Sequence, residues 1–539
     1  MGKTTVSDFL IQELYKIGIK DFFGVPGDFV FNIIESVENF SGASWVGCTN
    51  ELNAGYAADG YAREKGYGAL VTTYNVGELS AMNAIAGSYA ENVPVICIVG
   101  MPPERHIKEK TLLHHNFLHP NYYAASDAFA QVVQAGAVLS AGNAKYEIER
   151  VLGEFIREKK PVYIGIPMDV CKAFIKNDSN IKMPESNYKK LEKAAGHILK
   201  LIENSGAPVI IGDALVDRFC ASCEFQGFVK NSGIPSTTLP MGKGLINESE
   251  PNFLGTYTGK DTQVQDAINR SDCVICVGAI LSDFNTARFS LNFKPEVDIN
   301  GTYTVVEGQV YENVLMNDIL YKLANKITPN KEILRFAQND SPPRHSEGAA
   351  ATEESLSFDY FIPRFEKFMQ TGDYLFTETG ITNFIPASLT FPDDCRLFSQ
   401  LLWASIGWAA PACFGAAIAN RDKRIILLTG EGAHQVSVQA ISDMVYKDVK
   451  PIIFVLKNGG YTVERLLSHD FDNEFNEINC WEYTRLFEVF GGDVYTAKAR
   501  TNVEFDRVLN RIENEKRLCY VELHLDKADI PPFFKKLLT

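Results

Sequence analysis

The sequence predicts an α/β protein of doubly wound, mostly parallel sheets. Three observations carry this. Short uninterrupted apolar runs rich in Val and Ile recur from end to end. They alternate with longer segments of helical periodicity, the pattern of parallel strands covered on both faces by helices. The length, 539 residues, exceeds what one hydrophobic core usually organises, so two or three domains are expected.

Taken in order, the first strand ends in FFGVPGDF, where Pro26-Gly27 force a turn that presents Asp28. CTNELNAGYAADGYAR then opens a helix at Glu51. Its small residues Ala54, Gly55, Ala57, Ala58 and Gly60 indicate close approach to another element. GALVTTYNV, the helical AMNAIAGSYAE and the strand VPVICIVG complete the middle of this block. A first block runs to about residue 185 and a second, with APVIIGD and CVICVGA as strands, covers 186–330. Residues 331–357 are polar, with Pro-Pro, Ser, Gly and Glu, and read as a solvated linker. In the third block, 358–539, strands RIILLTG and KPIIFVL each run into a glycine-containing turn.

Composition narrows the function. Hydrophobic residues make up 46% and charged residues 22%, as in ordinary globular proteins. The formal net charge of -15 argues against nucleic acid, which calls for a Lys/Arg surplus. No apolar run is long enough to span a bilayer, and the N-terminus lacks the apolar core of a signal peptide, so a cytoplasmic location without membrane partners is expected. Most of the eleven cysteines sit in strand-like runs, where Cys behaves as a small hydrophobe. Cys220 and Cys223 form a C-x-x-C without the second ligand pair that a metal site needs.

Four constellations carry chemistry. Gly430-Glu431-Gly432 tops one strand, and Asn458-Gly459-Gly460 tops another 27 residues on from Glu431. Ligands of doubly wound sheets bind at the carboxyl ends of strands. Glycines there admit backbone N–H groups to a diphosphate, and a carboxylate with an amide oxygen suits Mg²⁺. The bland alternative is an ordinary strand–Gly–helix turn. Asp28 serves equally as a turn stabiliser, and Glu51 as a helix cap favoured by the macrodipole. His114-His115 in TLLHHNF are adjacent, so both can hardly be core; the alternative is a solvated loop pair.

With these motifs in hand, the chain resembles the thiamine-diphosphate-dependent 2-oxo acid decarboxylases, the pyruvate, indolepyruvate and branched-chain 2-keto acid group. FGVPGDF, NELNAGYAADGYAR, VGELSA, SYAENVPVICIVG, LLHH, PMGKG, VGAILSDFNT, ETG, SIGWAAPACFGAA and NGGYTVER carry the resemblance over nearly the whole length, the 331–357 segment excepted.

The resemblance implies three domains of the thiamine-diphosphate-binding fold: 1–185 pyrimidine-binding, 186–330 central, 358–539 binding the diphosphate and Mg²⁺. It implies thiamine diphosphate as cofactor, held between the first block of one subunit and the third of another in a homodimer or homotetramer. Glu51 would hydrogen-bond the pyrimidine ring, Ile406 would hold the cofactor bent, and the Ala404 carbonyl would face its amino group. Gly430, Gly432, Ala433, Asn458 and Gly460 would bind the diphosphate end, with Glu431, Asn458 and the Gly460 carbonyl on the metal. Asp28, His114, His115 and Glu464 would handle protons around carbon dioxide loss. Thr382, Asn383, Phe384, Val463 and Leu467 would line the substrate pocket.

The chain departs from the family at Glu431, normally Asp, at Ala433, normally Ser, and at Ala404, normally Gly. The extra methylene of Glu431 predicts a shifted loop and weaker cofactor retention, because Mg²⁺ tolerates little error in its short bonds. Val463, where pyruvate specialists carry Ile, predicts branched or aromatic 2-oxo acids, with pyruvate also accepted. The rival readings are an acetohydroxyacid-synthase-like carboligase or a benzoylformate-type decarboxylase, a non-catalytic relative that has lost cofactor, and, last, a nicotinamide oxidoreductase, for which no G-x-G-x-x-G follows a strand.

Overall fold

The apolar runs become strands and the periodic segments helices, as their side-chain periods require. A computed structural model of the chain describes residues 2–259, 262–291, 293–327 and 353–538. Three large sheets form, one per sequence block. The first has the strand order Ser44–Gly47, Asp21–Gly24, Gly68–Thr73, Val95–Met101, Val162–Pro167, Ala135–Val138, all parallel. Gly68–Thr73 and Val95–Met101 are buried at every position, which explains why they read as unbroken apolar runs. A short antiparallel pair, Lys3–Thr5 with Phe174–Lys176, accompanies this sheet.

The third block builds a six-stranded parallel sheet in the order Arg396–Phe398, Tyr374–Thr377, Ile425–Gly430, Ile452–Lys457, Leu518–His524, Val494–Ala499. The second block departs from a purely parallel pattern. Phe253–Thr256, Ser236–Thr238, Pro208–Gly212, Cys273–Val277 and Val297–Ile299 run parallel. Tyr303–Val306 and Gln309–Glu312 then continue the sheet antiparallel. Glu307-Gly308 form the tight connection between these two strands, and the positive φ of both, 47° and 81°, suits a two-residue hairpin turn. Sheet two is therefore mixed.

The described residues fall into two compact units. One comprises 1–184, 410–421 and 437–449; the other comprises 185–409, 422–436 and 450–539. Two stretches of the third sequence block thus belong with the first. The reason is visible in the helix Glu51–Lys65, whose small residues meet the helix Ala409–Ala419. A Cβ on Gly60 would stand 2.0 Å from the Ala412 carbonyl oxygen, and one on Gly415 would stand 1.8 Å from that of Ala57. The same helix buries Arg63 between Asp59 and Glu91, at 2.7 and 2.9 Å.

The 331–357 segment lies outside the described residues as far as 352. Its last residues are not a solvated linker. Ser355 bridges to Thr501, the Leu356 N–H donates to the Arg500 carbonyl at 2.9 Å, and the Leu356 side chain is buried. The eleven cysteines are free, Cys220 and Cys223 exposed among them. Among the described residues no helix is long and apolar enough to cross a membrane.

Candidate active site

In the first unit, Glu51 is the first residue of its helix but not its cap. Asn50, in extended conformation, fills that position, and its Oδ1 accepts from the Asn53 N–H at 2.8 Å. The half-buried Glu51 carboxylate is left for other work. The floor beside it is cut to fit: a Cβ on Gly77 would lie 3.2 Å from Glu51 Oε1 and 2.1 Å from the Thr72 hydroxyl. The segment entering the helix is tied down by Asp443, whose Oδ2 accepts from both the N–H and the hydroxyl of Thr49 at 3.2 Å. Burial pushes the Asp443 carboxyl up to about 6.

The same unit brings Asp28, His114 and His115 together. His114 Nε2 lies 2.9 Å from Asp28 Oδ2, and the two imidazole centroids are 4.5 Å apart. The three ligating atoms lie within 4.8 Å of one another. Asp28 and His114 are exposed and the two histidines lie in a turn, as the solvated alternative has it, yet the three side chains contact one another. Phe29 stacks on His114 at 5.0 Å and meets His115 edge-on at 6.2 Å. Burial, then the neighbouring His114, lower the His115 pKa, so its ring stays neutral near pH 7.

In the second unit a cavity opens where four loops leave the carboxyl ends of four adjacent parallel strands. Thr379-Gly380-Ile381 follow one strand, Ala404 and Ile406 follow the second, and Gly430, Gly432 and Ala433 follow the third. Asn458, Gly460 and the residues through Glu464 follow the fourth. This is where a doubly wound sheet places its ligand. The strand ends are glycine-rich for steric reasons: a Cβ on Gly432 would strike the Tyr461 ring at 2.5 Å, and one on Gly460 the Asn476 carbonyl at 2.1 Å. Ala404 holds φ at 54°, a left-handed conformation in which Ala, unlike the family's Gly, is strained.

Of the residues expected on the cofactor and the metal, Ala404, Ile406, Gly430, Gly432, Ala433, Asn458 and Gly460 line this cavity; Glu51 belongs to the other unit, and Glu431 is buried and outside the lining. Glu431 Oε1 accepts from the Asn458 N–H at 3.1 Å and from the Gly459 N–H at 2.5 Å. The longer Glu side chain thereby pins the facing turn. Its other oxygen, Oε2, is buried without a hydrogen-bond partner, and Asn458 turns its Nδ2 to the Thr462 hydroxyl at 2.7 Å. An orphaned oxygen of a carboxylate held against a turn that also carries an amide oxygen fits a hard divalent cation.

For the substrate pocket, Asn383, Phe384, Val463 and Glu464 line the cavity. Asn383 is tolerated there because its amide lies 2.7 Å from the Thr377 hydroxyl and is satisfied. Two expectations are corrected. Thr382 is buried and spends its hydroxyl on the Glu378 carbonyl at 2.6 Å, away from the lining. Leu467, at the end of the helix Thr462–Leu467, is 60% exposed and does not reach the cavity.

Several contributors escaped the sequence reading, Phe284 and Glu378 among them. Phe284, from VGAILSDFNT in the central block, lines the cavity and meets Phe384 at 6.0 Å. Only tertiary structure brings it there. Glu378, of ETG, is fully buried and accepts from the Thr379 and Ala409 N–H groups at 2.9 and 3.0 Å, bracing the chain that follows Ile406. Burial pushes its carboxyl up to about 7. A carboxylate at the end of a parallel strand was the available signal.

Residues 4–125 match the thiamine pyrophosphate enzyme N-terminal TPP binding domain, 195–314 the central domain, and 383–523 the C-terminal TPP binding domain. These three domains define the class: enzymes that use thiamine diphosphate. The pyruvate decarboxylase of Kluyveromyces lactis is 34% identical over 98% of this chain and 97% of its own length. That of Aspergillus terreus is 34% identical over 98% and 95%. The chain belongs to the thiamine-diphosphate-dependent 2-oxo acid decarboxylases.

Proposed function

We propose that the chain converts 2-oxo acids to aldehydes and carbon dioxide with thiamine diphosphate and Mg²⁺, preferring branched-chain or aromatic substrates while also accepting pyruvate. The observation that carries the metal is Glu431 Oε2, buried without a hydrogen-bond partner, while Oε1 of the same carboxylate holds the turn at Asn458, a residue that lines the cavity. Glu431, Asn458 and the Gly460 carbonyl would hold Mg²⁺ and through it the diphosphate. Bound thiamine diphosphate supplies a nucleophilic ring carbon and an electron sink for the pair that carbon dioxide leaves behind.

The protein's own work is positioning and proton handling. Glu51 projects its carboxylate from a helix end already capped by Asn50 and would share a proton with the pyrimidine ring. Ile406, in the cavity wall, would enforce the bent cofactor. His115, neutral near pH 7, accepts and returns a proton, while Asp28 orients His114 through their 2.9 Å contact. Glu464 places a negative charge in the cavity where a substrate carboxylate would sit. Val463 enlarges that wall relative to Ile, an effect of about 1–3 kcal/mol on selectivity.

The reading also entails association of chains, as a homodimer or homotetramer. The relatives named above are pyruvate decarboxylases, which favours this activity over the carboligase and nicotinamide readings. The test is aldehyde formation with and without Mg²⁺ and thiamine diphosphate, on pyruvate, 3-methyl-2-oxobutanoate and phenylpyruvate. Cofactor-dependent aldehyde from all three, with the highest kcat/KM on a larger acid, is expected. Acetolactate as the sole product from pyruvate, or no turnover, would overturn the proposal.

A further inference from the structure

Asn75 leaves the carboxyl end of the strand Gly68–Thr73 by way of Tyr74 and is 3% exposed. Its backbone sits at φ 51°, ψ −84°, a conformation that residues with a Cβ rarely adopt. Such a conformation persists only where the surroundings over-determine it. Here they do. The Asn75 N–H donates to Glu78 Oε1 at 2.6 Å, and the buried Glu78 is fixed in turn by the Tyr163 hydroxyl, which donates to Oε2 at 2.9 Å. The conformation points the side-chain amide at the His pair: Asn75 Nδ2 donates to the His115 carbonyl at 2.8 Å. The preceding Tyr74 hydroxyl donates to the His114 carbonyl. Two consecutive residues at one strand end therefore hold two consecutive carbonyls of the His114-His115 turn. His115 is itself left-handed, at φ 64°, and has no regular element to keep it there.

Asn75 is also the N-cap residue of the helix Val76–Ala90, but glycine serves almost as well at such a cap, so capping alone does not explain Asn. Glycine would adopt φ 51° freely and would keep the N–H bond to Glu78. What glycine lacks is the amide that reaches His115. We propose that Asn75 is a positioning residue for His115: it accepts a strained backbone so that its side chain fixes the imidazole-bearing turn for proton transfer. This rests on the reading that His115 handles protons during turnover.

The experiment compares the parent with Asn75→Gly and Asn75→Asp. It measures melting temperature without cofactor, thiamine diphosphate affinity, kcat and KM for pyruvate, and the rate at which diethylpyrocarbonate labels His115, read by peptide mass spectrometry. Asn75→Gly relieves the backbone, so it should melt no lower than the parent and bind cofactor within about twofold. Its kcat should fall by on the order of tenfold with KM little changed, as for a misplaced catalytic group, and His115 labelling should rise. Asn75→Asp turns an acceptor toward the His115 carbonyl and should lose at least as much kcat. Parent-like kcat and labelling in Asn75→Gly would overturn the proposal. So would a kcat loss that tracks a fall in melting temperature or cofactor affinity, which would assign Asn75 a purely structural role. Absence of turnover in the parent would instead sink the decarboxylase reading, and the labelling comparison would still decide the positioning role.

Discussion

At the scale of single residues, two carboxylates do work that neighbours have freed them to do. Asn50 satisfies the helix N-terminus, so Glu51 is not consumed as a cap. Glu431 divides its oxygens: Oε1 holds the Asn458-Gly459 turn and Oε2 is left buried without a partner. Replacing Glu431 by Gln keeps an oxygen for the turn and removes the charge. Apo-protein melting should stay close to that of the parent, while Mg²⁺-dependent retention of thiamine diphosphate, followed by calorimetry, should weaken by tenfold or more. Equal retention would show that Glu431 is no metal ligand. Both residues were legible as candidates in NELNAGYAADGYAR and GEG. Which oxygen is free was not, because that depends on N–H groups 27 and 28 residues away.

At the scale of elements, the helix Glu51–Lys65 shows how far a pattern reaches. Its small residues indicated a close neighbour, and the neighbour is the helix Ala409–Ala419, which almost touches Gly60 through its backbone. Nothing in NELNAGYAADGYAREK marks Arg63 as buried; on sequence it reads as an ordinary basic residue in a last helical turn. Yet its side chain is fully buried between Asp59 and Glu91, and Ser88 adds a hydrogen bond to Asp59 at 2.7 Å. Removing one member of such a group strands the others without water. Arg63→Met should therefore cost roughly 3–5 kcal/mol, measured as a drop in the urea midpoint at unchanged m-value. A loss under 1 kcal/mol would mean that water reaches the two acids.

At the scale of the whole molecule, burial of carboxyl groups sets the pH dependence of stability. Glu78, Asp213 and Glu378 are pushed up to about 7 and Asp443 to about 6, in each case chiefly by burial. Unfolded, such groups titrate near pH 4. Between about pH 4 and 7 the folded chain thus binds more protons than the unfolded chain, and these four acids make stability fall as pH rises through that range. His434, buried and pushed down to about 4, acts in the opposite sense, since the unfolded chain takes up its proton near 6.5. His115, also lowered, adds to this opposing effect, but four acids outweigh two imidazoles, so the melting temperature of the cofactor-free protein should decline from pH 5.5 to 7.5. A steady rise over that interval would show that these acids ionise in the folded state. Association can be checked at the same scale. If each site draws Glu51 from one chain and Glu431 from another, refolded mixtures of Glu51→Gln and Glu431→Gln chains should recover activity that neither parent shows. No recovery would argue that each chain works alone.

What the sequence by itself determined is the alternation of strands and helices, the α/β class, and the loops that carry Glu51, Glu431 and Asn458. Each of these follows from local periodicity, or from glycines that backbone geometry demands beside a strand end. The tertiary structure decided the rest. It made the middle sheet mixed, drew 410–421 and 437–449 into the first unit, brought Phe284 to the cavity, and kept Thr382 and Leu467 out of it. It also set Asn75 against His115. These outcomes depend on contacts between residues far apart in the chain, and on which polar atoms remain unpaired once packing is complete. Neither quantity is a property of any short segment.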